Sequence, residues 1–467
     1  MFLKRTTLIT IGCASVLIGL FVAKFIEPIS LQWVWLALCV SPLAFTRKLR
    51  IVFVVVVMLL IGLLRGGMYQ QTFHTISQYY GEKVTVTGLA LEDGTYSYNG
   101  QLETTLNIKT INGQDATGRI TLRGFEPVIY RYDSIEATGK ISPTKGGKQG
   151  TMSYADISVL AVHTSAIESF RHAFIVGMQN ALPEPAASLG IGILVGQRSL
   201  LPDDVASALQ IAGLTHIIAV SGYNLTIIIN AVKRTTRRLS RFQTVAVSAS
   251  LMYAFLLITG FSPSIVRASL VAGISLATWY YGRTVKPLLL ILFVAALTAV
   301  VNPYYVWGDI GWYLSFLAFF GVLIVAPLII RILARGKQEL PLLPTVAIES
   351  FSAQVMTLPL TMYIFGKMSV IGLLANIIIV PMVPIAMLAS VVAGVMGVIA
   401  PAVAGWLAIP ARILLGSMIR IAEWMAALSH ATVIVQISAA GMVFLYVCII
   451  IMIVGLKKRA QSVIISK

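Results

Sequence analysis

Apolar runs long enough to cross a bilayer recur along the chain, separated by short polar loops. About 20 apolar residues span the hydrocarbon core as a helix. The pattern therefore predicts a polytopic α-helical membrane protein with about 10–12 transmembrane helices. The predicted spans are about 1–23, 30–46, 51–64, 243–260, 264–281, 286–301, 312–331, 343–363, 369–397, 402–428 and 436–456. Four prolines between residues 381 and 410 leave the number of spans over 369–428 open.

Residues 67–165 follow a different period. Apolar and polar residues alternate in five short runs, and Asn-Gly, Asp-Gly or Gly-Gly pairs separate them. This pattern is typical of strands joined by tight turns. The runs are 83–92, 101–110, 118–124, 134–141 and 155–162. They predict a small, inserted all-β domain outside the cytoplasm. An OB-like barrel is the leading option, although other small β-domains fit nearly as well.

A polar stretch within the hydrophobic half, residues 190–232, is the first candidate for a pore or binding site. It follows a predicted amphipathic helix, 166–181, which we expect at the membrane interface with Arg171 and His172 facing the headgroups. Pro202 and the two acids after it predict a helix start. Polar groups at membrane depth usually line a path or a protein contact. Those of this stretch are Arg198, Asp203, Asp204, His216, Ser221 and Asn224.

Composition fits this picture, since 57% of residues are hydrophobic and only 11% are charged, against about 25% in soluble proteins. The net charge of +17 resides outside the β-region, which holds eight basic and nine acidic residues. The positive-inside rule explains such an excess without any nucleic acid. A basic loop at 233–241 therefore predicts the cytoplasmic side, and it is also compatible with a phosphate backbone or anionic lipid. Its basic residues are Lys233, Arg234, Arg237, Arg238 and Arg241.

The sequence contains no recognisable catalytic motif. The three cysteines, Cys13, Cys39 and Cys448, lie in predicted spans without zinc spacing, and there is no P-loop. His216 with Ser221 or Asn224 lacks a third orienting acid, so a membrane hydrolase is a weak alternative. We predict no catalytic residue, no metal site and no cofactor.

Four motifs resemble the ComEC family of competence proteins, which form the inner-membrane channel of bacterial DNA uptake. The first is GQRSLLPDDVASALQIAGLTHIIAVSGYN (196–224), although Gln197 and Asn224 stand where the family usually has an acid and a second histidine. The others are FSPSIVRASL (261–270), NPYYVWGDIGWYLSFLAFFGVL (302–323) and AQVMTLPLTMYIFGKMSVIGLLANIIIVPMVP (353–384). Their order across the chain strengthens the resemblance.

The resemblance implies a channel that translocates single-stranded DNA into the cytoplasm. A transporter or flippase for another polyanion or a lipid-linked polymer is the alternative. Expected partners are single-stranded DNA, the lipid bilayer, an external DNA receptor, a separate nuclease, and a cytoplasmic helicase or single-strand-binding protein, with a homo-oligomer also possible. The predicted DNA path or channel core comprises His216, Ser221, Asn224, Arg198, Arg267, Asp309, Gln354 and Asn376. Arg267 and Asp309 are candidates for a buried ion pair.

The expected organisation has five parts: a three-helix transmembrane segment (1–66), the OB-like domain (67–165), an amphipathic helix with re-entry (166–189), the channel domain (190–456) and a basic cytoplasmic tail (457–467). The likeness is to a short form of the family, without the metallo-β-lactamase-like domain of its longer members. The expected location is the bacterial plasma membrane.

Overall fold

A computed structural model describes residues 5–27, 49–96, 101–125, 129–144, 148–163, 165–197, 200–218, 225, 229, 232–233, 238–334 and 340–465. The chain divides into two compact units: 1–165 with 284–313, and 166–283 with 314–467. The strands are β1 (Lys83–Ala90), β2 (Thr95–Tyr96), β3 (Leu102–Ile111), β4 (Gln114–Gly124), β5 (Ser134–Ser142), β6 (Gly150–Ala161), β7 (Lys367–Ser369) and β8 (Thr432–Ile434).

Helices occur in both units and make up most of the second. In chain order they are α1 (Arg5–Val22), α2 (Arg50–Ser77), α3 (Ala166–Ala181), α4 (Ala186–Val195), α5 (Asp203–Ile211), α6 (Thr215–Ile218), α7 (Arg241–Thr259), α8 (Pro263–Tyr280), α9 (Pro287–Val301), α10 (Tyr304–Gly308), α11 (Ile310–Phe320), α12 (Ala326–Leu333), α13 (Leu342–Phe365), α14 (Gly372–Ile379), α15 (Val383–Ile399), α16 (Pro401–Leu407), α17 (Ile409–Ala426) and α18 (Ala439–Ile465). A π-helical turn, Gly321–Val325, separates α11 from α12.

Six helical segments among the described residues are long and apolar enough to cross a bilayer, which confirms a multi-pass membrane protein. They are Arg5–Val22, Arg50–Gln71, Arg241–Thr259, Ile310–Leu333, Gly372–Ile399 and Ala439–Gln461. The pair α16 and α17, bent by 55°, adds a seventh if it forms one span. The predicted span 30–46 lies outside the described residues.

The β-region forms a closed barrel of five strands in the order β1-β5-β6-β4-β3, and β1 pairs with β3 to close it. Strands β4 and β6 are parallel, whereas the other pairs in the barrel are antiparallel. This OB-like barrel confirms the fold prediction. Strand β6 begins five residues before the predicted run, because β4 offers it partners that local alternation does not reveal.

The end of α2 packs against this barrel. Ile76 is fully buried in the barrel core. Gln149 accepts a hydrogen bond from the backbone N–H of Arg119 at 2.9 Å and donates one to the Tyr69 hydroxyl at 3.3 Å. The hydroxyl of Tyr80 donates to the Gln149 carbonyl, and burial raises the pKa of this phenol. The helix and barrel are therefore joined by both apolar packing and directed polar contacts.

Within the first unit, α1 and α2 cross where neither carries a side chain. A Cβ at Gly19 would overlap the carbonyl oxygen of Leu59, and one at Gly62 would overlap that of Val16. Small residues at such crossings let backbones of membrane helices approach closely. Two cations cover helix ends nearby: Lys24 donates to the Trp307 carbonyl at 3.0 Å, and Arg65 donates to the Val300 carbonyl at 2.9 Å.

In the second unit, α3 and α15 pack together, and α4 is buried over its whole length in the same apolar core. The helix predicted at 166–181 is confirmed, but its orientation differs from the prediction. Arg171 is only 7% exposed and lies 3.3 Å from the Glu168 carboxylate, whereas His172 is exposed. α3 packs chiefly against α15, which lies more than 200 residues further along the chain, so the helix pattern alone does not reveal which face is buried.

Candidate functional site

Two segments that are far apart in the chain meet in the middle of the polar stretch. The hydroxyl of Ser369, in β7, donates a hydrogen bond of 2.7 Å to the carbonyl of Ile211 at the end of α5. Gly213 follows that helix end, and Gly372 opens α14 beside it. We call residues 211–213, Ser369 and Gly372 the clasp. It fixes the point from which the chain continues into α6 and His216.

Gly213 allows the segments of the clasp to approach each other. Its φ of +69° lies in the left-handed region, where glycine is favoured. A Cβ at this position would stand 3.2 Å from the Cα of Gly372 and 3.4 Å from the Cβ of Ser369. The backbone N–H of Gly213 still donates to the Gln210 carbonyl at 3.0 Å. The turn after α5 therefore depends on both the backbone freedom and the small size of glycine.

A two-stranded sheet supports Ser369. Strands β7 and β8 pair antiparallel, with Ser369 opposite Thr432. Flanking bonds extend the pairing: the N–H of Val370 donates to the Ala431 carbonyl, and that of Val435 donates to the Gly366 carbonyl, both at 3.0 Å. The chain after α13 and the chain after α17 thereby satisfy each other's backbone groups. Membrane proteins require such pairing wherever helices are interrupted.

Two predicted core residues lie next to the clasp. Gln354, on α13, donates from its side chain to the Ser369 carbonyl at 3.4 Å. Asn376 lies in α14 one turn beyond Gly372, and its side-chain oxygen is buried without a hydrogen-bond partner within the described part of the chain. A buried amide oxygen of this kind is uncommon in folded proteins. The structure thus brings two sequence motifs, around Gly213 and around Gln354, into contact.

His216 belongs to α6, three residues beyond Gly213, and its side chain is exposed. Ser221, Asn224 and Arg198, which complete the predicted polar stretch, lie outside the described residues. Their role in a path stays a prediction.

Arg267 and Asp309 have separate surroundings. Arg267 is 3% exposed on α8 in the second unit. Asp309 lies in the first unit, where its carboxylate accepts a hydrogen bond of 3.0 Å from the backbone N–H of Trp312. This contact caps the first turn of α11. The ion pair proposed from the sequence stays a prediction.

The basic loop is partly described. The ammonium group of Lys233 lies 5.1 Å from the ring centroid of Trp279, within the range of a cation–π contact. Arg238 and Arg241 are exposed at the start of α7. Arg234 and Arg237 lie outside the described residues.

Sequence reasoning missed two polar residues that hold this region together. Ser369 has no pattern that marks it, apart from its place after the motif residues Phe365 and Gly366. Ser188 is buried in α4, and its hydroxyl lies 2.5 Å from the Glu184 carboxylate and 2.7 Å from the Leu200 carbonyl. It ties α4 to the loop before α5, and a lone serine in an apolar run gives no signal of that contact.

Among the described residues there is no cluster of three or more His, Cys, Asp or Glu side chains that could hold a metal ion. The described polar side chains near the clasp include the hydroxyl of Ser369, the amides of Gln354 and Asn376, and the imidazole of His216.

Comparison with known proteins gives one family and one relative. A family model described as "Competence protein" matches residues 193–459, more than half of the chain and including the whole clasp. The ComE operon protein 3 of Bacillus subtilis (strain 168) is 27% identical over 298 residues, which cover 63% of this chain and 37% of that relative. The matched part is thus little more than a third of the relative's length. No solved structure matches the chain.

Proposed function

Because the chain belongs to the Competence protein family, we propose that it is a membrane channel that passes single-stranded DNA into the cytoplasm during natural competence. The observation that carries this proposal is the family match over residues 193–459. The name of the Bacillus relative, a product of the ComE operon, agrees with it. The family match and the clasp fall on the same part of the chain, which is also the part with intramembrane polar residues.

The electrostatics of this part suit a polyanion. No acidic residue occurs between Asp204 and Asp309, while eight lysines and arginines do. A channel for an anion needs a hydrated path that attracts the charge without binding it too tightly. Residues 205–308, which carry hydroxyl, amide and imidazole groups and no carboxylate to repel phosphates, meet that requirement.

We propose that the path begins at the clasp and continues along His216, Ser221 and Asn224, with Arg198, Gln354 and Asn376 contributing to its wall. The clasp supports this assignment because it holds the turn before α6 and His216 against Ser369 and the start of α14. Arg267 and Asp309 complete the proposed core as structural residues of the surrounding helices.

The proposed orientation has the barrel outside and the basic loop and tail in the cytoplasm of the bacterial plasma membrane. The positive-inside rule supports it. The proposed partners are an external DNA receptor, a separate nuclease that removes the other strand, and a cytoplasmic helicase or single-strand-binding protein. A homo-oligomer is also compatible with the proposal.

The proposal is tested by the cytosolic arrival of labelled DNA in a deletion strain carrying the wild type, His216→Ala or His172→Ala, at equal membrane levels. We expect no uptake on deletion, and rescue by the wild type and by His172→Ala. The second variant is a matched control, because His172 is an exposed histidine outside the proposed path. Failure of His216→Ala alone would support the role of His216 in the path.

Unchanged uptake in the deletion strain would contradict the channel. If that strain also had an altered cell envelope, the transporter or flippase for another polyanion would become the better explanation. Rescue by His216→Ala would keep the channel and remove His216 from its essential residues.

A further inference from the structure

One face of α8 and an arginine just after this helix line a groove. It has a volume of about 370 Å³ and is lined by Ile274, Ala277, Thr278, Tyr281 and Arg283. Its first four residues recur at spacings of three and four, so they share one helix face. Apart from the Thr278 and Tyr281 hydroxyls, its lining is apolar until the guanidinium is reached.

The end of α8 positions Arg283 at the mouth of the groove. Gly282 adopts a φ of +64°, and the backbone N–H of Arg283 then donates to the Thr278 carbonyl at 2.8 Å. This turn ends the helix and folds the chain back on its last turn. The backbone of Arg283 is therefore held at the end of α8, from where its side chain lines the groove.

The same end of the helix hairpin is strongly basic. Helices α7 and α8 are joined by a three-residue turn and pack together, so the start of α7 lies beside the end of α8. Arg238 and Arg241 are exposed there, and Lys233 lies against Trp279. Since no acidic residue occurs from 205 to 308, this stretch of sequence supplies no carboxylate to balance these cations. An anion from elsewhere would be attracted.

The length and lining of the groove identify the anion. From Ile274 to the end of α8 at Tyr280 the helix rises about 9 Å. An apolar floor of that length, formed by Ile274 and Ala277, fits an alkyl chain better than a nucleobase. α7, beside it, is a candidate membrane span. Trp279, Tyr280 and Tyr281 lie at the basic end, and such aromatics are typical of the membrane–water interface.

We propose that this groove is a binding site for one anionic phospholipid. An acyl chain lies along Ile274, Ala277 and Tyr281, and the phosphate contacts Arg283. Lys233 and Arg241 add long-range attraction for the headgroup. This site is independent of DNA translocation, since it uses none of the residues of the proposed path.

The test is native mass spectrometry of the purified full chain in a neutral detergent, titrated with dioleoylphosphatidylglycerol or dioleoylphosphatidylcholine. We expect the wild type to bind the anionic lipid more tightly. In Arg283→Gln, the apparent Kd for the anionic lipid should rise about fivefold, while that for the zwitterionic lipid changes little. Arg331→Gln is the matched control, because Arg331 is an exposed arginine in the last turn of another helix, α12.

A second variant tests the apolar floor. Ala277→Phe places a ring in the groove, so it should weaken the binding of both lipids, and a thermal unfolding curve checks that each variant is folded. Equal loss of the anionic lipid in Arg283→Gln and Arg331→Gln would overturn the proposal. So would displacement of the lipid by inorganic phosphate alone, or by a single-stranded oligonucleotide at the same site.

Discussion

Gly213 is the residue on which the clasp depends most directly. It combines a left-handed backbone with a close approach to Gly372 and Ser369, whereas Gly282 has a similar φ but no atom within 4 Å of the place that a Cβ would take. Substituting each glycine by alanine therefore separates the free-energy cost of the left-handed backbone from the cost of steric crowding.

We expect Gly282→Ala to lower the free energy of unfolding by about 1–2 kcal/mol, because a left-handed conformation disfavours any Cβ. Gly213→Ala should lose about 1–3 kcal/mol more, since the new methyl group would press on the backbone of Gly372. Thermal unfolding of both variants in detergent measures the difference. Equal losses of unfolding free energy in the two variants would show that the clasp accommodates the methyl group at position 213 without an energetic penalty.

Ser369 offers a second prediction at this scale, because one hydroxyl links β7 to the end of α5. Ser369→Ala removes that hydrogen bond and leaves the Ile211 carbonyl without it, at about 1 kcal/mol. Ser369→Thr keeps a hydroxyl at the same position. We expect a thiol reagent to label His216→Cys faster in the Ala background than in the Thr background.

That labelling is carried out in membranes with the native cysteines replaced, so it does not depend on DNA uptake. Ser417→Ala is the control, since the Ser417 hydroxyl donates to the Leu414 carbonyl of its own helix at 2.8 Å. The same labelling rate in all three backgrounds would show that the clasp does not control the position of His216.

At the scale of elements, the crossing of α3 and α15 is the closest helix contact described in the second unit. A Cβ at Gly397 would overlap the carbonyl oxygen of Gly177, and one at Gly177 would stand 2.7 Å from the Gly394 carbonyl oxygen. Because the nearest atoms are backbone carbonyl oxygens, no flexible side chain can move to make room for a Cβ. Glycine is required at this crossing for its size, because the φ of these helical residues is ordinary.

Gly397→Ala should therefore destabilise the protein by about 3 kcal/mol, as overpacking in a rigid core does. Gly416→Ala makes the same chemical change in the interior of α17, where nothing lies within 4 Å. It should stabilise the helix by about 0.5–1 kcal/mol, because alanine is the better helix former. Unfolding midpoints of the two variants should move in opposite directions, and a common direction would contradict this packing.

At the scale of the whole molecule, the proposed topology predicts which loops lie on each side of the membrane. In a background without Cys13, Cys39 and Cys448, we expect an impermeant maleimide to label Asp115→Cys in the barrel and Lys367→Cys in β7 from outside. Arg238→Cys and Lys458→Cys should react only after permeabilisation. All four positions are exposed, so accessibility to the reagent depends on the side of the membrane.

Labelling of Asp115→Cys and Lys367→Cys from opposite sides would contradict the proposed parity of the helices between them. Labelling of Arg238→Cys in intact cells would contradict the cytoplasmic assignment of the basic loop. Either result would leave the fold of each unit unchanged, because the experiment reports orientation alone.

By itself the sequence determined the positions of the six candidate membrane spans, the five barrel strands and the helix start at Asp203, although it predicted about 10–12 spans. These features follow from the length and period of local patterns, and neighbouring residues suffice to define them. The order and closure of the barrel depended on long-range pairing, and so did the earlier start of β6.

Only the tertiary structure decided the burial of Arg171 and the composition of the clasp. Ser369 and Ile211 are 158 positions apart, and their bond uses a backbone carbonyl, which leaves no mark on the residue type. The glycines at the α3–α15 crossing likewise have sequence contexts that do not differ from those of other small residues in apolar helices. Such contacts depend on which helices pack together and at which positions they cross. Local sequence patterns specify only that the helices form.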